Sequence, residues 1–170
     1  MIKEILGDKS LKAKERNEKL ASLLLEEKIS ADEILKYTSG LKKDADKATC
    51  IEAVEYATQQ KPGLATAKTL DFVSQTLTEK APRIKWESAR VIGNIAHLFP
   101  TKMEKPVANL LENTAHPGTV VRWSAAFALS RIYLMKTKYN ADLEKVFRSV
   151  IESDEKNSIK KIYITALKKK

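Results

Sequence analysis

Apolar residues recur along this chain at the spacings of three and four that mark one face of a helix, and few runs alternate as a strand would. Ala89, Gly93 and Ala96 fall on one such face, with Ile92 and Ile95 beside them, and Ala126 and Ser130 repeat the pattern. Breakers separate the periodic stretches: Gly40, Pro62-Gly63, Pro82, Pro100, Pro117-Gly118 and Asn140. The spacing predicts helices over 31–39, 64–80, 102–115 and 140–153, alternating with helices over 46–60, 83–99, 119–137 and 156–169. One more helix over 9–28, with a short turn before it, stands ahead of them. Thr101 and Glu104 predict a capping box opening the 102–115 helix. Pro106 should bend or delay that helix, because it lacks a backbone N–H.

The alternation is a repeat. Moving residues 86–95 forward by 37 places Trp86 on Trp123, Ala89 on Ala126, Ile92 on Leu129, Gly93 on Ser130 and Ile95 on Ile132. The preceding stretch obeys the same shift, with Leu70 on Val107 and Val73 on Leu110. The chain reads as one domain over 1–170: paired helices A and B at about 30–62, 63–99, 101–137 and 140–170, behind an N-terminal cap over 1–28. Each pair has one apolar face, and it can bury that face only against the next pair.

Pro117-Gly-Thr-Val-Val121-Arg122-Trp-Ser-Ala125-Ala126-Phe-Ala128-Leu129-Ser130 resembles the second-helix signature of HEAT repeats, a Val-Arg pair leading into an Ala-rich helix. Ile84-Lys85-Trp-Glu-Ser-Ala89-Arg-Val-Ile92-Gly93 looks like a second copy, with Lys85 in the Arg place. The resemblance covers residues 64–137 well and weakens over 140–170, where Ile159, Ile162, Tyr163, Ala166 and Leu167 keep only the apolar period. It implies an all-α fold: a right-handed α-α superhelix, a solenoid of about four helical pairs with the B helices on the concave side. Arg122, in the Val-Arg pair, is then expected to form a salt bridge within the stack. The resemblance implies no single activity. A weaker similarity links the chain to HEAT-like DNA alkylation-repair glycosylases, which pair a basic concave face and tryptophans with a catalytic aspartate. That aspartate has no counterpart: Arg90 stands four residues after Trp86 and Phe127 four after Trp123.

Composition narrows the function classes. A single cysteine, Cys50, excludes an intrachain disulfide and reads as a small core residue. The N-terminus has no long apolar run of a signal peptide, and no stretch reaches the length of a membrane span, so a cytoplasmic protein is expected. The two histidines, His97 and His116, do not make a metal site, and no HExxH, phosphate-binding Gly loop or GxSxG elbow occurs. No enzyme activity, cofactor or metal is expected.

The net charge of +9 is uneven. Residues 1–62 hold 12 basic and 12 acidic residues, so the whole excess lies beyond them. There the B segments, counted with the 137–139 turn and Lys170, hold 13 basic residues against the single acid Glu87. On a helical wheel Arg83, Glu87, Arg90, Asn94 and His97 share one stripe, bordered by Trp86. The matching stripe in the next repeat is Ser124, Phe127, Arg131 and Leu134, bordered by Trp123. The candidate binding residues are therefore Trp86, Arg90, Asn94, His97, Trp123, Phe127, Arg131 and Leu134, the Arg-aromatic mix enriched at interaction hot spots. Each also has a structural role open to it: packing for the aromatics and Leu134, an ordinary solvated position for His97. A protein partner is expected at this surface, with nucleic acid or another polyanion as the alternative, favoured by the basic sum and the run Lys168-Lys169-Lys170. The first B helix carries Glu52, Glu55 and Gln59 instead, so the face passes from acidic to basic along its length.

Overall fold

The computed structural model describes residues 1–169; Lys170, counted above in the basic run, lies outside them. The described residues form ten α-helices and no strand: α1 (Ile2–Gly7), α2 (Ala13–Leu25), α3 (Ala31–Ser39), α4 (Asp44–Gln60), α5 (Ala67–Thr76), α6 (Pro82–Ile95), α7 (Glu104–Asn113), α8 (Thr119–Leu134), α9 (Asn140–Ser153) and α10 (Asn157–Lys168). Single 3-10 turns, Pro62–Leu64 and Ala96–Leu98, precede α5 and follow α6. No helix among the described residues is long and apolar enough to cross a membrane.

Local chemistry fixes where these helices start. Ser30 caps α3 by accepting from the Glu33 N–H at 3.1 Å, while the Glu33 carboxylate accepts from the Ser30 N–H at 2.7 Å. Thr66 and Thr69 form the same reciprocal cap on α5. The box expected at Thr101 and Glu104 is absent: α7 begins at Glu104 itself, with Met103 before it and no side-chain cap. Pro106 explains the late start. It now lies in the first turn, where its missing N–H costs no helical bond.

Packing follows a simple order. The second helices α4, α6, α8 and α10 lie side by side in chain order, with α2 ahead of them against α4. The first helices α3, α5 and α7 form a second row, and α3, α5, α7 and α9 each also touch the helix that follows. A basic residue performs one job in two successive pairs. Lys85 on α6 donates to the Leu77 carbonyl at 2.9 Å and to the Asn113 side chain at 3.4 Å. Arg122, 37 positions on, donates to the His116 and Pro117 carbonyls at 3.0 Å and pairs with Asp154 at 3.0 Å. Each thus ties the end of one first-row helix to the next. Burial opposes ionisation of Asp154, yet its hydrogen bonds from Arg122 and the Lys156 N–H hold its carboxyl below the ordinary range. Cys50 is buried on α4, and loss of water pushes its thiol up to about 11.

The helices α6 and α8 approach closely. The ring of Phe127 covers Gly93, and a Cβ there would sit 2.8 Å from the Phe127 Cδ1 and nearer still to Cε1. Glycine costs about 1 kcal/mol against alanine inside a helix, so its presence here is set by the ring and not by propensity. Gly93→Ala should lower stability by about 1–2 kcal/mol, overpacking outweighing the propensity gain. In a Phe127→Ala background the same change should raise stability by up to about 1 kcal/mol. Urea unfolding of the four proteins measures this, and equal effects of Gly93→Ala in both backgrounds would refute it.

Candidate functional site

Two rows of helices leave one face of the second-row helices open, and its character changes along the molecule. Between α4 and α6 it is closed by charge. Arg83 pairs with Glu52, and Arg90 lies 3.5 Å from the Glu55 carboxylate, whose side chain is only 8% exposed. Asn94 is buried and donates inward, to the Glu55 carbonyl at 3.0 Å and the Thr58 hydroxyl at 3.3 Å. It therefore leaves the set of residues a partner can reach. Glu87, placed by its spacing on the open stripe, is buried as well. The open line on α6 consists of Arg83, Trp86 and Arg90, half-buried, with His97 exposed just beyond.

Glu87 is the most perturbed acid here. One carboxylate oxygen accepts from the Trp86 indole at 3.1 Å, and the other is buried with no partner. Removal from water, with the charge of Glu52 next, raises its pKa from the ordinary 4.5 to about 7, against smaller opposing effects of Trp86 and Arg90. Glu55 is also raised, by burial first, although Arg90 opposes the shift.

On α8 the surface is aromatic and open. Val121, Ser124, Ala125, Ala128, Leu129 and Ile132 are buried by the neighbouring helices. Ser124 was expected on the open stripe but lies wholly inside, and Trp123 takes its place. Trp123 and Phe127 stack with centroids 5.8 Å apart and planes 4° from parallel. The Arg131 guanidinium lies over the other part of this column, 4.9 Å from the Phe127 centroid. Leu134, 40% exposed, continues the line. Trp123, Phe127, Arg131 and Leu134 thus form one ladder, whereas Trp86, Arg90 and His97 belong to the charged stretch before it.

Beyond the ladder a cleft of about 320 Å³ opens between α8 and α10. Arg131 and Leu134 line it from α8, and Ser158, Lys161, Ile162, Thr165 and Lys169 from the α10 side. These latter residues were not among the candidates. Lys161, Thr165 and Lys169 do recur every four positions, the one signal that marks them, but the repeat signature is too weak there to set the helix phase. A larger hollow of about 650 Å³ lies between the His116-Pro117 turn and α9. It is lined by charges of both signs: Arg122, already held by Asp154 and two carbonyls, exposed Lys145, and the carboxylates of Asp154 and Glu155. Among the described residues no group of three His, Cys, Asp or Glu is placed to hold a metal ion.

This geometry defines an all-helical protein, with ten packed helices among the described residues. No family model matches the chain, and no curated protein is similar enough to match. Solved structures do match. One is the crystal structure of an engineered protein, a Northeast Structural Genomics Consortium target, with a TM-score of 0.65 and 16% identity over 98% of this chain and 77% of that one. At that identity the likeness concerns the fold alone.

Glu87 makes stability depend on pH. The folded state holds the Glu87 proton more tightly than the unfolded chain does, so ionisation costs nothing below the ordinary 4.5. Stability then falls as pH rises toward about 7, by ~3 kcal/mol when the loss is complete. Glu87→Gln, which cannot ionise, should flatten this fall between about pH 5 and about pH 8. Chemical denaturation followed by circular dichroism at the two pH values checks it, and an unchanged slope would exclude the assignment.

Proposed function

We propose that the protein is a HEAT-type right-handed α-α superhelix serving as a non-catalytic protein-binding module, with the open face of α8 and its neighbours as the binding surface. The solenoid reading is supported by the chain-order adjacency of the second-row helices. The matching roles of Lys85 and Arg122, 37 positions apart, support it further. The observation that carries the binding reading is the ladder of Trp123, Phe127, Arg131 and Leu134, left open on a helix whose remaining sides are buried. Stacked aromatics under a guanidinium give a partner large, rigid contact area that is already ordered, so little entropy is lost on binding. Arg residues beside aromatics are where interface energy concentrates.

A polyanion track is the less favoured alternative. Affinity for nucleic acid grows with the number of phosphates neutralised. Arg83 and Arg90 are engaged by Glu52 and Glu55, so the α4–α6 stretch of this face offers a phosphate backbone no unpaired arginine.

Affinity capture from extracts of the source cell, quantified by mass spectrometry, tests the binding reading. Wild type is compared with Phe127→Ala/Arg131→Glu and with Lys68→Glu, a change on exposed α5 surface. Specific proteins retained by wild type and Lys68→Glu should fall at least about tenfold with the α8 variant, a loss of about 1.4 kcal/mol. An identical set of captured proteins for all three would rule this face out.

A further inference from the structure

Building on the binding-module reading, we infer that the cleft between α8 and α10 takes an acidic peptide segment of another protein, with an apolar side chain as its anchor. The lining includes three cations, Arg131, Lys161 and Lys169, and no carboxylate. None of the three forms an ion pair among the described residues, in contrast to Arg83, Arg90 and Arg122. Arg131 is also fixed in place by the Phe127 ring. Between the cations lie exposed Leu134, half-buried Ile162 and buried Ala166, with Ser130, Ser158 and Thr165 as the polar remainder. Exposed apolar surface beside fixed positive charge selects a ligand with both characters. Carboxylates meet the rim, and an apolar side chain enters the floor.

Charge complementarity decides between occupants. A nucleic acid or other polyanion satisfies the three cations but leaves Leu134 and Ile162 without an apolar partner. A second copy of this chain fits no better. Besides Leu134, its large exposed apolar residues among those described are Met1, Tyr56, Leu98, Val120 and Ile164, and Glu4 near Met1 is paired with the N-terminal ammonium. Tyr56 has Glu52 and Glu55 nearby in sequence, but both are bound to arginines. Val120 precedes Arg122, and Ile164 sits among lysines of α10. The cleft volume, about 320 Å³, is at the small end of the range for ligand sites, which suits one anchoring side chain better than a broad protein face.

The experiment is selection of a random peptide library on immobilised wild type, with counter-selection on Arg131→Glu/Lys161→Glu. Both substitutions are at exposed positions, and circular dichroism confirms that the variants fold. Enriched peptides should carry Asp or Glu on either side of a Leu, Phe or Trp. Their affinity, read by fluorescence anisotropy of a synthesised representative, should fall about tenfold or more in the double variant. Leu134→Ser should weaken the same peptide about as much while leaving any binding of oligo-dT unchanged. Three results would overturn the inference: no peptide that distinguishes wild type from the double variant, enriched peptides without acidic residues, or oligo-dT competing fully while Leu134→Ser has no effect. If these appear while capture of cell proteins still falls in the single variant Phe127→Ala, which leaves the cleft lining intact, the cleft is wrong and the binding-module reading stands. If capture is unchanged in Phe127→Ala and in Phe127→Ala/Arg131→Glu, both fail.

Discussion

Everything in this molecule follows from one constraint: a pair of amphipathic helices is too thin to bury its own apolar side, so it must lie against the next pair. The buried apolar residues accordingly run as one continuous cluster from Leu20 on α2 to Ala166 on α10, and α6 and α8 are buried around most of their circumference. Helices can approach this closely only where side chains are small. Ala89 and Gly93 on α6 and Ala125 and Ala126 on α8 meet that demand, and all are buried. The first-row helices are tied by longer side chains. Lys85 reaches the Leu77 carbonyl at the end of α5, which has no intrahelical partner, and Arg122 reaches the His116 and Pro117 carbonyls in the turn after α7. A buried pair such as Arg122 with Asp154 adds less net stability than its geometry suggests, because both charges lose water. Its value lies in orientation: it fixes where one pair sits on the next.

The same constraint decides what happens to charge on the open face. Where α4 meets α6, acidic residues of one helix face basic residues of the other, and proximity turns two stripes into pairs. The result is neutral and partly dry, and it strands Glu87, whose second oxygen has no partner. Where α6 meets α8, Phe127 comes across to cover Gly93, and its other side remains half-exposed under Arg131. In the cleft between α8 and α10 no carboxylate lines the wall beside the cations. A net positive charge spread over the second half of the chain therefore becomes an effective one only at the far end.

How much of this could be read from residues alone depends on how local the cause is. The bounds of α3 and α9 match their predicted spans, because breakers and apolar period agree there. The predicted 64–80 and 83–99 helices instead shorten, with 3-10 turns beside α5 and α6. The helix at Thr101 starts later than its capping pattern suggests, since Pro106 belongs in a first turn. The open stripes were harder. A wheel places Glu87, Asn94 and Ser124 outward by angle, but the angle facing a neighbouring helix is set by crossing geometry, which one sequence does not carry. Asn94 is turned in by the carbonyl of Glu55, 39 positions earlier. Likewise Lys161 and Lys169 become site candidates only once α10 is seen against α8.

Glu87 shows why the closed and open ends of the face suit different roles. A carboxyl without water and next to Glu52 is costly when ionised, so the α4–α6 stretch is already strained by its own charges. A ligand binding there would have to break Arg83 from Glu52 or Arg90 from Glu55, exposing acids that are now satisfied. At the α8–α10 end a ligand breaks nothing: Arg131 keeps its ring, and the lysines exchange only water for carboxylate. Binding therefore costs least where the stack has left its cations unanswered. The difference arises from which residues each helix carries: Glu52 and Glu55 on α4, and no acidic residue on α10.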